Sequence, residues 1–210
     1  MKLINSSNKS KVYRNGDKVY KFNIQSNNSN FQRELRMYEK MKSHNIPNVI
    51  EYTMIDEKVK MFEMEYYPYN LEKYLAGKYK INITRSKMDE ITYKIINTLK
   101  KLHSKLIIHG DFKAKNIMLD RDLNPIIIDF DLSSSYSKEY NSVEVNFKIQ
   151  NDIKKLHYLI YQLLYIVEYK PELYNNYDFK MKEIENNFPD LYLAMMNRDI
   201  NKMRDHFKNK

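Results

Sequence analysis

Two short runs, Lys11 to Arg14 and Lys18 to Phe22, carry Val12, Tyr13, Val19, Tyr20 and Phe22 on either side of Asn15-Gly16-Asp17. Asn and Gly accept the positive φ of a tight turn, so the pattern predicts a hairpin. Strand alternation puts Val19, Lys21 and Asn23 on one face and Tyr20, Phe22 and Ile24 on the other. The period then lengthens. After the polar cluster Gln25 to Asn30, Phe31, Leu35, Tyr38 and Met41 form a helical stripe with Glu34 beside it. Val49 to Tyr52 and Val59 to Glu63 read as two more strands about a polar turn at Asp56-Glu57-Lys58, and Pro68 leads into a short helix near Leu71 to Leu75. Met88, Ile91, Ile95, Leu99, Leu102 and Leu106 predict the clearest helix, opened by a capping box of Ser86 and Asp89. Ile126-Ile127-Ile128 predicts a fully buried strand. Ile153, Leu156, Ile160, Leu163, Leu164 and Val167 predict a central helix with Asp152 at its N-terminus. From Pro171 to Lys210, Leu191 to Met196 and Ile200, Met203 and Phe207 predict two or three short helices.

Composition narrows what this pattern belongs to. With 210 residues and 42% hydrophobic content the chain suits one compact unit or two small lobes. No apolar run follows Lys2, and the most apolar window, Tyr158 to Val167, is broken by Gln162 and falls short of the ~20 residues a membrane span needs. A soluble, intracellular protein is expected, and the absence of Cys agrees with a reducing compartment such as the cytoplasm. The net charge of +9 is spread along the chain, and Lys, Asn, Ile and Tyr abound beside only 3 Gly, as codon bias in an AT-rich genome would produce. Without a compact basic run interleaved with aromatics, a nucleic-acid role is not expected.

The chemistry concentrates between His109 and Asp129. Asp111, Lys113 and Asn116 supply a base, a cation for phosphate and a metal ligand within one loop, and Asp129 follows Asp111 by 18 positions at the end of an apolar run. Glu34 beside its stripe would be costly to bury unless a cation met it, and Lys21 on the preceding strand can do so. An exposed Glu34 paired with Tyr38 or Lys40 is the bland alternative. His103 and His109 read as packed structural histidines, because no carboxylate–histidine metal spacing accompanies them.

Over about residues 1 to 167 these motifs resemble the protein kinase-like superfamily. His109-Gly110-Asp111-Phe112-Lys113-Ala114-Lys115-Asn116 is similar to its catalytic loop, Asp129-Phe130-Asp131 to its metal-binding motif, and Met64-Glu65-Tyr66-Tyr67 to its hinge. The resemblance implies an α+β, bilobal fold: a small antiparallel N-lobe sheet with one main helix (1–67) and a mostly helical, truncated C-lobe (68–210). It further implies ATP with Mg²⁺, or Mn²⁺ in its place. Asp111 would orient and deprotonate the acceptor, and Lys113 would neutralise the transferring phosphoryl group. Lys21 and Glu34 would position ATP, whose metal Asn116 and Asp129 would hold. Val12, Val19, Met64, Glu65 and Tyr67 would enclose the adenine, and Asn5, Ser7 and Ser10 stand where the phosphate loop's glycines belong. Asp152 would grip the catalytic-loop backbone.

Three departures shape the functional expectation. Gly110 replaces the Arg before the catalytic Asp, Asp131 replaces the Gly of Asp-Phe-Gly, and the segment after Asp131 has no Ala-Pro-Glu. The expected activity is a minimal serine/threonine protein kinase without an activation-loop switch, acting on a protein substrate. If the chain is viral, it would act in host cytoplasm. His-Gly-Asp and Asp-Phe-Asp also resemble aminoglycoside and choline kinase-like phosphotransferases, although Lys113 stands where those usually carry His. A pseudokinase scaffold is the third expectation.

Overall fold

A computed structural model of the chain describes residues 1–24, 29–47, 49–56, 61–137, 142–166 and 177–208. Glu57, Lys58, Val59, Val167 and Pro171 lie outside the described residues, as do Gln25 to Asn28 and the side chains of Phe31, Tyr52 and Asp56.

The N-terminal lobe is a five-stranded sheet in the order β1 (Lys2–Ser6), β2 (Ser10–Asn15), β3 (Lys18–Asn23), β5 (Met61–Glu65), β4 (Tyr52–Asp56), with all neighbours antiparallel. The β2–β3 hairpin closes between Asn15 and Lys18, and only Gly16 of the turn takes positive φ, at 59°. Register puts Val12, Lys21 and Phe62 side by side on one face, and Arg14, Val19 and Met64 beside them on the same face. Helix α1 (Ser29–Ser43) buries Met37, Tyr38 and Met41, and the Tyr38 ring meets Phe62 of β5 and Phe130 edge-on, each at 5.9 Å.

The predicted strand at Val49 to Tyr52 is displaced. Ile50 N–H donates to Ile127 O at 2.9 Å and Val49 forms a single parallel bridge to Ile127, so this apolar pair is anchored in the second lobe and the strand begins only at Tyr52. The other strand likewise runs Met61–Glu65 rather than ending at Glu63.

The second lobe is built on α3 (Arg85–Ser104) and α4 (Ser142–Tyr165), with α5 (Tyr177–Asn187), α6 (Pro189–Met196) and α7 (Ile200–Lys208) packed behind. A three-stranded antiparallel sheet, β6 (Tyr69–Asn70), β8 (Ile117–Leu119) and β9 (Pro125–Ile127), sits above α2 (Leu71–Leu75); β7 (Ile107–Ile108) pairs with β10 (Ser134–Ser135). Three sequence expectations change here. Thr84, not Ser86, caps α3 by accepting from Lys87 N–H, and Asp89 instead pairs with Arg85 one turn back. Ile127 alone of its triplet is fully buried, since a small antiparallel sheet has one covered face. Asp152 lies well inside α4 and is no N-cap: Val145 is buried and Ile149 packs on the core, which extends the apolar stripe N-terminally through a Ser/Asn-rich stretch. Among the described residues no helix is long and apolar enough to cross a membrane.

Candidate active site

The loop from His109 to Asn116 is fastened from several sides. His109 is fully buried between Phe112 and Phe130, with ring centroids 5.7 Å and 4.7 Å away. Its Nε2 faces Ile128 O at 3.1 Å, and its Nδ1 faces Asp111 N–H at 3.2 Å. A carbonyl only accepts and an amide N–H only donates, so the two contacts select the neutral Nε2–H tautomer. Burial pushes the His109 pKa down, in agreement. Ser133 Oγ donates to His109 O at 2.9 Å.

Asp152 reaches across from α4. Its Oδ2 accepts from His109 N–H at 2.8 Å and lies 3.2 Å from His103 Nε2, while Oδ1 accepts from Gly110 N–H at 3.1 Å. Burial pushes the Asp152 carboxyl up, but His103 and the loop hydrogen bonds outweigh it and hold the group below the usual carboxylate range. Lys155, one turn further along α4, donates to Gly110 O. Gly110 has φ +82°, and a Cβ there would fall 2.5 Å from Leu132 O. No other residue fits without moving that carbonyl, so the missing Arg is also a steric requirement.

Within this frame the expected catalytic groups converge in part. Lys113 Nζ lies 2.6 Å from Asp111 Oδ2. Asn116 Nδ2 donates to Asp111 O at 2.9 Å and to Asp111 Oδ2 at 3.1 Å, from a 3-10 turn over Ala114–Asn116. Across the cleft Lys21 Nζ is 2.6 Å from Glu34 Oε1 and 3.5 Å from Asp129 Oδ1. Glu34 is only 3% exposed and its Oε1 also accepts from Tyr38 O–H at 3.0 Å, so the acid is paired inside the protein rather than at its surface. Burial opposes the Lys21 charge, but Glu34 and Asp129 together raise its pKa, and the ammonium stays protonated. Asp129 adopts φ +66° with its side chain 42% exposed. Its carboxylate and the Asn116 side chain are hard oxygen donors, a pair suited to Mg²⁺ completed by nucleotide phosphates. Among the described residues no cluster of three or more His, Asp or Glu forms a self-sufficient metal cage.

The remaining site residues are less engaged. Met64 and Tyr67 pack partly buried against the core, Glu65 is exposed opposite Lys18, and Tyr66 N–H donates to Asp17 O at 2.9 Å. Asn5 is exposed on β1 opposite Val12. Ser7 Oγ accepts from Lys9 N–H at 3.2 Å and from Ser10 N–H at 3.1 Å, closing its own turn. Sequence reasoning missed Lys9, whose Nζ pairs with Asp131 Oδ2 at 3.2 Å across 122 positions, and it missed Ser133 and Lys155. Asp131 departs from the family pattern, but nothing in the sequence singles out Lys9 as its partner 122 positions away.

Residues 9–159 match the family described as Protein kinase domain. The chain belongs to this family. Among curated proteins, a probable CTD kinase subunit alpha homolog of Encephalitozoon cuniculi is 30% identical over 106 residues, half of this chain and 31% of that protein. A probable serine/threonine-protein kinase of Fowlpox virus is 40% identical over 77 residues, 34% of this chain and 25% of that protein. A probable serine/threonine-protein kinase of Dictyostelium discoideum is 34% identical over 113 residues, half of this chain and 17% of that protein. The matched stretches therefore span less than a third of these kinases' lengths.

Proposed function

We propose that the chain is a minimal serine/threonine protein kinase that transfers the γ-phosphoryl group of ATP to a protein hydroxyl without an activation-loop switch. Residues 1–67 and 68–210 act in this reading as two lobes of one catalytic domain. The observation that carries it is Lys21, an ammonium held 2.6 Å from buried Glu34 and 3.5 Å from Asp129, where it can grip the α- and β-phosphates beside the metal. The likeness to proteins named serine/threonine kinases supports the acceptor class.

The steps follow from the side chains. Val12, Val19, Met64 and the backbone of Glu65 and Tyr67 hold the adenine, with Asn5, Ser7 and Ser10 over the phosphates. Asn116 and Asp129 would hold Mg²⁺, or Mn²⁺, which when bound would neutralise charge on the phosphates. Asp111 orients the acceptor hydroxyl; as the new O–P bond forms and the bond from Pγ to the β-phosphate oxygen breaks, the hydroxyl proton passes to its carboxylate. Lys113 neutralises charge on the phosphoryl group in flight. Gly110 offers no cation to a phosphorylated segment, and Asp152, Lys155 and Ser133 already hold the loop.

The test is incubation with Mg²⁺ and γ-labelled ATP, alone, with a cell lysate, and with an aminoglycoside and amino-alcohol panel. Label should appear as phosphoserine or phosphothreonine and fall about 10²-fold or more in Asp129→Asn. Label confined to small molecules assigns the chain to the other phosphotransferase class, and nucleotide binding without transfer makes it a scaffold. Transfer intact in Asp129→Asn overturns the site assignment.

A further inference from the structure

A cleft of about 850 Å³ opens between α1 and α4 beside the catalytic loop, and none of Lys21, Glu34, Asn116 or Asp129 lines it. Its walls carry Arg33 and Arg36 from α1 and Lys148, Lys154 and Lys155 from α4. One acid, Asp152, lines the same space, and its two oxygens are taken by His109 N–H, Gly110 N–H and His103. Among the described residues, five cations thus line a volume whose one carboxylate is already committed. Lys148 keeps Glu144 at 2.9 Å and Lys155 rests on Gly110 O. Arg33 and Arg36 are exposed and have no hydrogen-bond or ion-pair partner among the described residues. Three positions apart on one helix, they share a face and present two guanidinium forks to the cleft. Gathering like charges is unfavourable unless a counter-charge arrives, and guanidinium pairs match the tetrahedral oxygens of a phosphate ester.

We infer that this cleft docks an anionic side chain, a phosphoserine or phosphothreonine, on the protein that the kinase phosphorylates. The inference rests on the proposed protein-kinase activity and names the substrate class of that same site. Gly110 lines the cleft and directly precedes Asp111 in the chain, so the cleft borders the backbone that carries the acceptor-site base. An anion held there is within reach of a neighbouring residue on the same polypeptide as the acceptor. Ser134 and Ser135 also line the cleft and are the other source of the same chemistry, from within the chain.

The experiment uses phosphatase-treated protein, with mass spectrometry at Ser134 and Ser135, and serine peptide libraries with phosphoserine or serine fixed at successive positions around the acceptor. Nucleotide-free binding and labelled transfer are both measured, with ATP affinity alongside. The phosphorylated library should show a dissociation constant and KM about tenfold lower than its serine twin, an advantage that shrinks with added salt. Arg33→Glu with Arg36→Glu, and separately Lys154→Glu, should cut the advantage below about threefold while the thermal midpoint and ATP affinity hold. Equal affinity for both libraries, or discrimination that survives both charge reversals, overturns the inference. So does discrimination that appears only with phosphate on Ser134 or Ser135 and vanishes in Ser134→Ala with Ser135→Ala. Phosphopeptide bound with the expected discrimination but never labelled refutes the kinase reading and spares the anion cleft; labelled peptide without discrimination does the reverse.

Discussion

The backbone from His109 to Asn116 is tied down by side chains from two other regions, Asp152 and Lys155 on α4 and Ser133 after the Asp129 motif, whereas the side chains of Ser7 to Ser10 reach only their own turn and, through Lys9, Asp131, with Ile24 N–H on Lys9 O as the backbone tie to β3. In the first loop His109, Phe112, Ala114 and Asn116 are buried; in the second Ser7 and Asn8 are exposed and no residue is buried. In the proposed function, groups that would meet a reacting atom within fractions of an ångström sit on over-determined backbone, while the turn that would cover a nucleotide draws on the low-stability end of the molecule. Energetic disruption should therefore be large at the catalytic loop and small at the hairpin.

Asp152→Ala should produce the largest effect. It strands two buried backbone donors and the His103 ring at once, a loss of about 3–5 kcal/mol, or roughly 10 °C in thermal midpoint for a chain of this size. Transfer should fall with it, because the loop that presents Asp111 loses its anchor. A midpoint change below about 3 °C would show that the loop is held by its apolar packing alone.

Acid should find the same region next. His109 and His157 are buried with pKa values lowered by burial, His157 to about 4 with help from Arg198. Below the ordinary histidine pKa of about 6.5 the unfolded chain takes up these protons and the folded one does not. Stability is therefore full above about pH 6.5 and declines below it, for His157 by about 1.4 kcal/mol per pH unit down to about pH 4, with His109 acting in the same direction. Denaturant titrations at pH 7 and pH 5 measure the slope, and His157→Leu should reduce it. A flat profile would mean that both histidines are charged in the folded protein.

Two glycines sharpen the contrast. Both take positive φ, Gly110 at +82° and Gly16 at +59°, but a Cβ on Gly110 would meet Leu132 O at 2.5 Å while one on Gly16 meets nothing within 4 Å. Gly16→Ala should cost the conformational penalty alone, about 1 kcal/mol. Gly110→Ala adds displacement of a backbone carbonyl and should cost about 2–3 kcal/mol. Equal losses in thermal midpoint would remove the steric account of Gly110.

How much was legible follows the same division. Asp111, Lys113, Asn116 and Asp129 could be picked out because their chemistry depends on short spacings within one stretch of chain, and Lys21 and Glu34 because strand and helix periods give each a face. The grip of Asp152 was legible only through the family resemblance, because it spans 42 positions or more. Its place within α4 was misread, since Ser142 to Asn151 is polar enough to hide the apolar pair Val145 and Ile149. Val49 and Ile50 have strand composition, yet Ile127 takes them as partners, a choice made by tertiary packing rather than propensity. The cation-lined cleft left no local signature at all, because Arg33 and Lys155 are 122 positions apart and each alone looks like a solvated surface charge.

The smallest expected effect is the one that most directly tests the exposed hairpin. Ser7→Gly restores the residue type a phosphate loop ordinarily uses, and it deletes a hydroxyl that accepts from Lys9 N–H and Ser10 N–H in an exposed turn. Water replaces those hydrogen bonds, so the stability loss should be about 0.5 kcal/mol, within about 2 °C of the parent midpoint. Lys9→Ala removes a half-exposed ion pair to Asp131 worth at most about 1 kcal/mol. If the serine turn substitutes for glycines by holding its own shape, Ser7→Gly should leave the ATP dissociation constant within about threefold, measured by calorimetry, since glycine admits the phosphates as well as the turn does. A gain of tenfold or more would mean that the hydroxyl obstructs the nucleotide and that the chain is a weakened ATP binder. A loss of tenfold would place Ser7 Oγ among the phosphate donors, and the hairpin would then carry as much of the site as the catalytic loop.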